Sequence, residues 1–135
     1  MEKQRNFTSS LKFNGYFIDE VTFTRNKKLP PDIDSWKMDF DISSIIKTTK
    51  EKNKMSINLV VEIFKSTKNP PFTMKVDMLG EFELVGEDNI ERYKANAIAI
   101  MYPYVRAIVS TYTSSSNVLP VILPAINVNA MLNEK

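Results

Sequence analysis

The sequence predicts an α+β fold: a four-stranded antiparallel sheet of meander type, then a long kinked helix and a short C-terminal helix. Three observations predict it. Apolar residues alternate with polar ones in four stretches between residues 11 and 84, the period of half-buried strands. From Ile90 the period changes to about 3.6, that of a helix. The connections between strands are short and rich in turn residues, so successive strands are expected to run antiparallel. With 135 residues the chain has the length of one domain. Residues 1–135 are expected to fold as one unit, with residues 1–10 as a flexible N-terminus.

In the first stretch, residues 11–24, Leu11, Phe13, Phe17, Val21 and Phe23 share odd parity. Asp19 interrupts that row, so a bend or bulge near Gly15 is expected. A polar loop containing Pro30 and Pro31 follows. Trp36, Met38, Phe40 and Ile42 then alternate with Lys37, Asp39, Asp41 and Ser43, a strand with one apolar and one wet face. Residues 47–54 form a lysine-rich turn. Met55, Ile57, Leu59, Val61 and Ile63 make the third strand. Asn69-Pro70-Pro71 punctuates the chain. Phe72, Met74, Val76, Met78, Phe82 and Leu84 make the fourth strand, with Gly80 in the same parity. One apolar sheet face must then be covered. Ile98, Met101, Tyr102, Val105, Ile108, Val109 and Tyr112 lie on one helical stripe and supply the cover. Pro103 falls inside it, so a kink or a break into two helices is expected near residues 100–102. Residues 113–117 stop the helix, residues 119–124 are extended, and residues 127–133 form the short final helix.

Composition narrows function sharply. There is no His and no Cys, which removes thiol nucleophiles, disulfides, Cys/His zinc sites, Ser-His-Asp triads and imidazole acid/base chemistry. The glycines, Gly15, Gly80 and Gly86, cannot build a phosphate-binding loop. Asp39 and Asp41, like Glu81 and Glu83, share a strand face, but alternating carboxylates are the ordinary filler of a solvated face. Residues 87–91 lack the offsets of a calcium loop. The chain is therefore expected not to be an enzyme and to need no cofactor or metal. The 18 Lys+Arg and 16 Asp+Glu give a formal net charge of +2, too weak a field for a nucleic-acid footprint. The lysines of residues 47–54 fit a solvated hairpin better than a phosphate patch. The longest mostly apolar stretch, residues 95–105, is far short of a membrane span, and no secretory signal opens the chain. No membrane insertion and a cytoplasmic location are expected.

What the chain has in quantity is adaptable apolar surface: seven Met, eight Phe, five Tyr and one Trp. Tyr16, Ile18, Val60, Phe64 and Leu79 fall on the face read as wet. That surplus points to a subunit interface or to a binding groove.

Tyr102-Pro103-Tyr104-Val105-Arg106-Ala107-Ile108-Val109-Ser110 resembles the F-P-Y-A-R-E-x-I-S helix of the bacterial protein-export chaperone SecB. Leu79-Gly80-Glu81-Phe82-Glu83-Leu84 resembles that family's G-x-F segment at the end of its fourth strand. Residues 119–131 resemble its F-P-x-L-x-L-x-P-[IV]-N-F-x-A-L piece, and Tyr16-Phe17-Ile18-Asp19-Glu20-Val21-Thr22-Phe23 is similar to I-Y-x-K-D-x-S-F. Trp36 stands where the family often opens strand two with tryptophan. The match runs over residues 11–132, and its P-Y-x-R helix is the most specific part.

The resemblance implies an ATP-independent holdase, a homotetramer built as a dimer of dimers. It would bind unfolded or pre-export polypeptides in apolar grooves and deliver them to the Sec translocation motor. By analogy the groove would include Trp36, Phe72, Met74, Val76, Tyr104, Ile122, Leu123 and Val128; a plain core role fits each of them as well. Glu20 matches one of the acidic positions that face the SecA motor ATPase, but Thr24 and Lys75 stand where others would be acidic. Val128 replaces a family phenylalanine, and the preceding proline is Ala125, with Pro124 one place earlier. No counterpart of the family's acidic tail is expected after Asn133-Glu134-Lys135. Fold and client holding are thus expected to carry over better than coupling to SecA. The runner-up is a specialised adaptor for one partner, such as an antitoxin; a nucleic-acid-binding protein comes third.

Overall fold

The computed structural model describes residues 10–28, 37 and 39–133. Strands β1 (Ser10–Arg25), β2 (Phe40–Thr48), β3 (Lys54–Ile63) and β4 (Phe72–Val85) form one antiparallel sheet in the order β1-β4-β3-β2. Strands β2, β3 and β4 make the expected meander. β1 departs from it by pairing with β4 instead of β2, which is Greek-key order. The link from β1 to β2 is far longer than a hairpin turn, so nothing local ties those two strands together. Ser10 already belongs to β1, whereas Trp36 and Met38 lie outside the described residues.

The pairing registers place the alternating apolar residues of β3 and β4 on one inner face. Met55, Ile57, Leu59, Val61 and Ile63 are buried there, as are Met74, Val76, Met78 and Phe82. β2 adds Phe40, Ile42 and Ile46 at half burial, with Ser44 buried between them.

β1 carries two register shifts, one between Phe13 and Gly15 and one between Ile18 and Glu20. Each bulge inserts one residue and so exchanges the faces, and the second restores what the first reversed. Gly15 takes a φ of 121°, open to glycine and strained for other residues. Between the bulges, Tyr16 pairs with Gly80 and Ile18 with Met78, which puts both on the inner side. Phe17 pairs with Leu79 and faces outward, 60% exposed. The expected parity is thus reversed for Tyr16, Phe17 and Ile18. Leu79 and Val60 do sit on the outer face. Phe64 does not: it follows β3 with a φ of 60°, and its ring is buried edge-on against Phe72 at 5.2 Å.

A 3-10 turn, Ile90–Tyr93, leads into the long helix α1 (Lys94–Ser115). The Asn89 side chain caps the turn by accepting from Glu91 N at 2.9 Å. No break occurs at Pro103. Proline costs the helix the donor that Ala99 C=O would have received. Both Pro103 and Ala99 are exposed, so water can serve that carbonyl. Ala97, Ile98, Met101, Val105 and Val109 are buried where α1 packs over β3 and β4. The approach is close at Gly80, where an added Cβ would lie 2.6 Å from Met101 Sδ. Residues 118–127 return along α1 as an extended arm, and α2 (Val128–Leu132) ends the described chain. Asn127 caps α2 by accepting from Ala130 N at 3.0 Å.

The Ser44 hydroxyl is buried on the inner face and has no hydrogen-bond partner among the described residues. A buried, unpaired hydroxyl costs its desolvation without return. Ser44→Ala should therefore raise stability by about 1 kcal/mol. The check is a urea titration, in which the midpoint rises at unchanged slope; a lower midpoint would mean that the hydroxyl is satisfied in solution.

Candidate polypeptide-binding surface

Successive residues of an α-helix are rotated by about 100°. With Met101, Val105 and Val109 on the sheet, two other sets of residues fall on opposite flanks of α1. One is Tyr104, Ile108 and Tyr112; the other is Tyr102, Arg106, Ser110 and Thr113.

The first flank meets β1. Tyr104 lies 4.9 Å from Tyr16 and 5.9 Å from Phe13, whose ring in turn stacks on Phe82 at 5.1 Å. Tyr112 lies 5.5 Å from Phe23, which stacks on Phe72 at 5.0 Å. Two aromatic series thus run from the core to the surface, ending at Tyr104 and Tyr112, each 41% exposed. Between them a shallow depression of about 370 Å³ is bounded by Tyr16, Tyr104, Ile108 and Tyr112. It adjoins β1, one of the two open edges of the sheet.

The second flank holds the arm. Tyr102 Oη donates to Pro124 O, and Arg106 Nε donates to Leu123 O at 2.9 Å. Ser110 Oγ donates to Val121 O at 3.0 Å, and Val121 N donates to Thr113 Oγ1 at 2.9 Å. Burial pushes the Tyr102 phenol above its ordinary pKa, so it stays protonated and able to donate. The Arg106 guanidinium lies 5.9 Å from the Tyr102 ring centroid. Val121 and Leu123 are buried by this arrangement, while Ile122 is 74% and Leu119 57% exposed.

The residues expected in a groove divide accordingly. Phe72, Met74 and Val76 are core, because they lie on the inner face of β4 directly beneath the packing of α1. Leu123 is core because its carbonyl is tied to Arg106 with the side chain turned inward. Tyr104 and Ile122 are exposed and Val128 is half-buried, on three different elements. Trp36 lies outside the described residues. The polar set Tyr102, Arg106, Ser110 and Thr113 was not expected to act. Its signal was present: Tyr102, Arg106 and Ser110 recur at i, i+4 and i+8 on an otherwise apolar helix.

Near α2, a cleft of about 490 Å³ has Ile46, Ala95 and Leu132 among its walls and Glu91, Arg92 and Lys94 at its rim. Glu91 accepts from Lys52 Nζ at 2.6 Å and from Thr48 Oγ1 at 3.1 Å, clasping the β2–β3 hairpin to the 3-10 turn. On the outer sheet face, pairing aligns Phe17, Leu79, Asn58 and Ile45 across all four strands. Phe17 and Ile45 are each 60% exposed. Beside this row Glu20 is paired with Lys75 at 3.4 Å, and Asn58 donates to Asp19 and Asp77.

Among the described residues no three carboxylates gather into a metal-binding group, and no helix is long and apolar enough to cross a membrane. A family model described as preprotein translocase subunit SecB matches residues 4–135. An uncharacterized protein of Methanocaldococcus jannaschii is 33% identical over 129 residues, covering 91% of this chain and 83% of that protein. The chain belongs to the SecB family, whose members are chaperones and not enzymes. Its fold is that of a SecB-like chaperone of Mycobacterium tuberculosis, solved in complex with a peptide from an antitoxin. The two superpose with a TM-score of 0.64 at 13% identity, over 87% of this chain and 91% of the other.

Hydrogen bonds from Lys52 and Thr48, and the charge of Lys52, hold the Glu91 carboxyl below the ordinary glutamate pKa. A carboxylate depressed in the folded state contributes stability above its unfolded pKa of about 4.3, and that contribution is lost as pH falls through the folded value. Glu91→Gln should accordingly lower the melting temperature at pH 7, and the gap to wild type should close progressively below about pH 4.3. Melting curves of both proteins over that range provide the measurement; a gap that does not change with pH would contradict the assignment.

Proposed function

We propose that this protein is a cytoplasmic, ATP-independent holdase that keeps unfolded or pre-export polypeptides from aggregating. The single observation that carries this reading is the apolar surface along the margins of α1, where Ile122, Leu119, Tyr104 and Tyr112 stand exposed on a chain of the SecB family. Burying about 400 Å² of client apolar surface gains on the order of 10 kcal/mol before ordering costs. That gain is indifferent to sequence, and folded proteins hide the groups that would provide it. Client contacts are assigned to Tyr104, Ile122 and Val128, with Trp36 as a further contact. The functional assembly is a homotetramer, a dimer of dimers. The open β1 edge supplies protomer surface for it.

Delivery to the Sec motor is the less supported step, since Lys75 neutralises Glu20 on the outer face. This observation favours a second reading, a SecB-like adaptor devoted to one partner. The M. tuberculosis protein of this fold was solved with a peptide from an antitoxin, so binding of such a peptide is compatible with this architecture.

Aggregation of a slow-folding preprotein, followed by light scattering, should be suppressed at one tetramer per client, with no ATP added. Tyr104→Ser should weaken that suppression without changing the mass of the assembly. Absence of suppression would end the general-holdase reading, and binding confined to one cognate partner would establish the adaptor.

A further inference from the structure

We propose that the main chain of the arm is itself a recognition element: the N–H and C=O of Ile122 pair with an extended segment of the bound polypeptide. The proposal rests on the polypeptide-binding reading above and assigns a second, main-chain component to it. In an extended segment, the N–H and C=O of one residue point to one side and those of the next to the other. Val121 directs both groups at α1, with its N–H donating to Thr113 and its C=O accepting from Ser110. Leu123 C=O likewise accepts from Arg106. Between Val121 and Leu123 this alternation turns the two polar groups of Ile122 away from α1; it ends at Pro124, whose C=O again accepts from α1, from Tyr102. Neither has a partner among the described residues, and Ile122 is 74% exposed.

Strands of the sheet satisfy one another, whereas among the described residues this segment is held by helix side chains. Its second edge is left open as a result. Such an edge offers a donor and an acceptor at the spacing of an extended backbone, which any unfolded chain can match whatever its sequence. A folded protein has those groups already paired. Pro120 and Pro124 flank Ile122 two residues to either side and have no N–H to offer. Edge pairing is therefore confined to the two groups of Ile122 and the C=O of Pro120. This window admits a client backbone but gives two arms from separate copies too little to zip together.

The test compares Ile122→Pro with Ile122→Ala in the full chain, using as probe a fluorescently labelled, reduced and carboxymethylated protein that cannot fold. Ile122→Ala removes the side chain and keeps the main chain. Ile122→Pro also removes the N–H, while its fixed φ suits an extended segment. Ile122→Pro should bind the probe about tenfold more weakly than Ile122→Ala. Equal affinities would overturn the proposal while leaving polypeptide binding intact; failure of the wild-type protein to bind would overturn both. Should Ile122→Pro fail to fold, hydrogen exchange in the wild-type protein decides. The Ile122 amide should exchange about tenfold more slowly with probe bound, and an unchanged rate would refute the pairing.

Discussion

The structure depends on the seating of one helix on a four-stranded sheet. Strands lie about 4.8 Å apart, so the sheet is roughly 14 Å wide between the axes of its outer strands. A helix with its side chains is about 10 Å across and leaves margins uncovered. α1 sits over β3 and β4, held close by the absence of a side chain at Gly80 beneath Met101. The margins at β1 and β2 follow from that placement. Here they are dressed with tyrosines on one side and with the arm on the other.

Each margin is built by a different device. On the β1 side, two bulges reverse the strand for a few residues, so Tyr16 reaches Tyr104 while Phe17 turns to the outer face. An edge strand interrupted in this way keeps its ends in register with β4 and presents apolar groups on both faces of its middle. On the β2 side, a segment without sheet partners is fixed by Tyr102, Arg106, Ser110 and Thr113. The same bonds that bury Val121 and Leu123 turn Ile122 outward. Side chains of one helix thereby decide which residues of the arm are core and which are surface.

These arrangements suit a protein of the SecB family because they use area and shape and no reactive group. Imidazole and thiol chemistry are absent with His and Cys, and the shifted ionisations of Glu91, Asp88 and Tyr102 arise from structural contacts. The aromatic series from Phe82 to Tyr104 and from Phe72 to Tyr112 back the exposed rings with rigid core. An apolar surface supported in this way keeps its form while empty, which lowers the ordering cost of each binding event.

What the sequence determined by itself was local. The two-residue alternation marked β3 and β4 almost to their ends, and the change of period at Ile90 marked the helix. The absence of His and Cys excluded most catalysis, and the Tyr102–Ser110 motif pointed to the family. Periodicity reports which residues of an element share a face, and that depends only on neighbours along the chain. It does not report which strand lies beside which, so β1 beside β4 was decided only in three dimensions. Nor does it report how far a helix reaches across a sheet. For that reason Phe72, Met74 and Val76, which looked as suitable for a groove as Tyr104 and Ile122, are buried, while Leu123 is buried by the tie of its carbonyl to Arg106. The bulges defeated the parity of Tyr16, Phe17 and Ile18 for the same cause: an inserted residue is visible only against the partner strand it slips past.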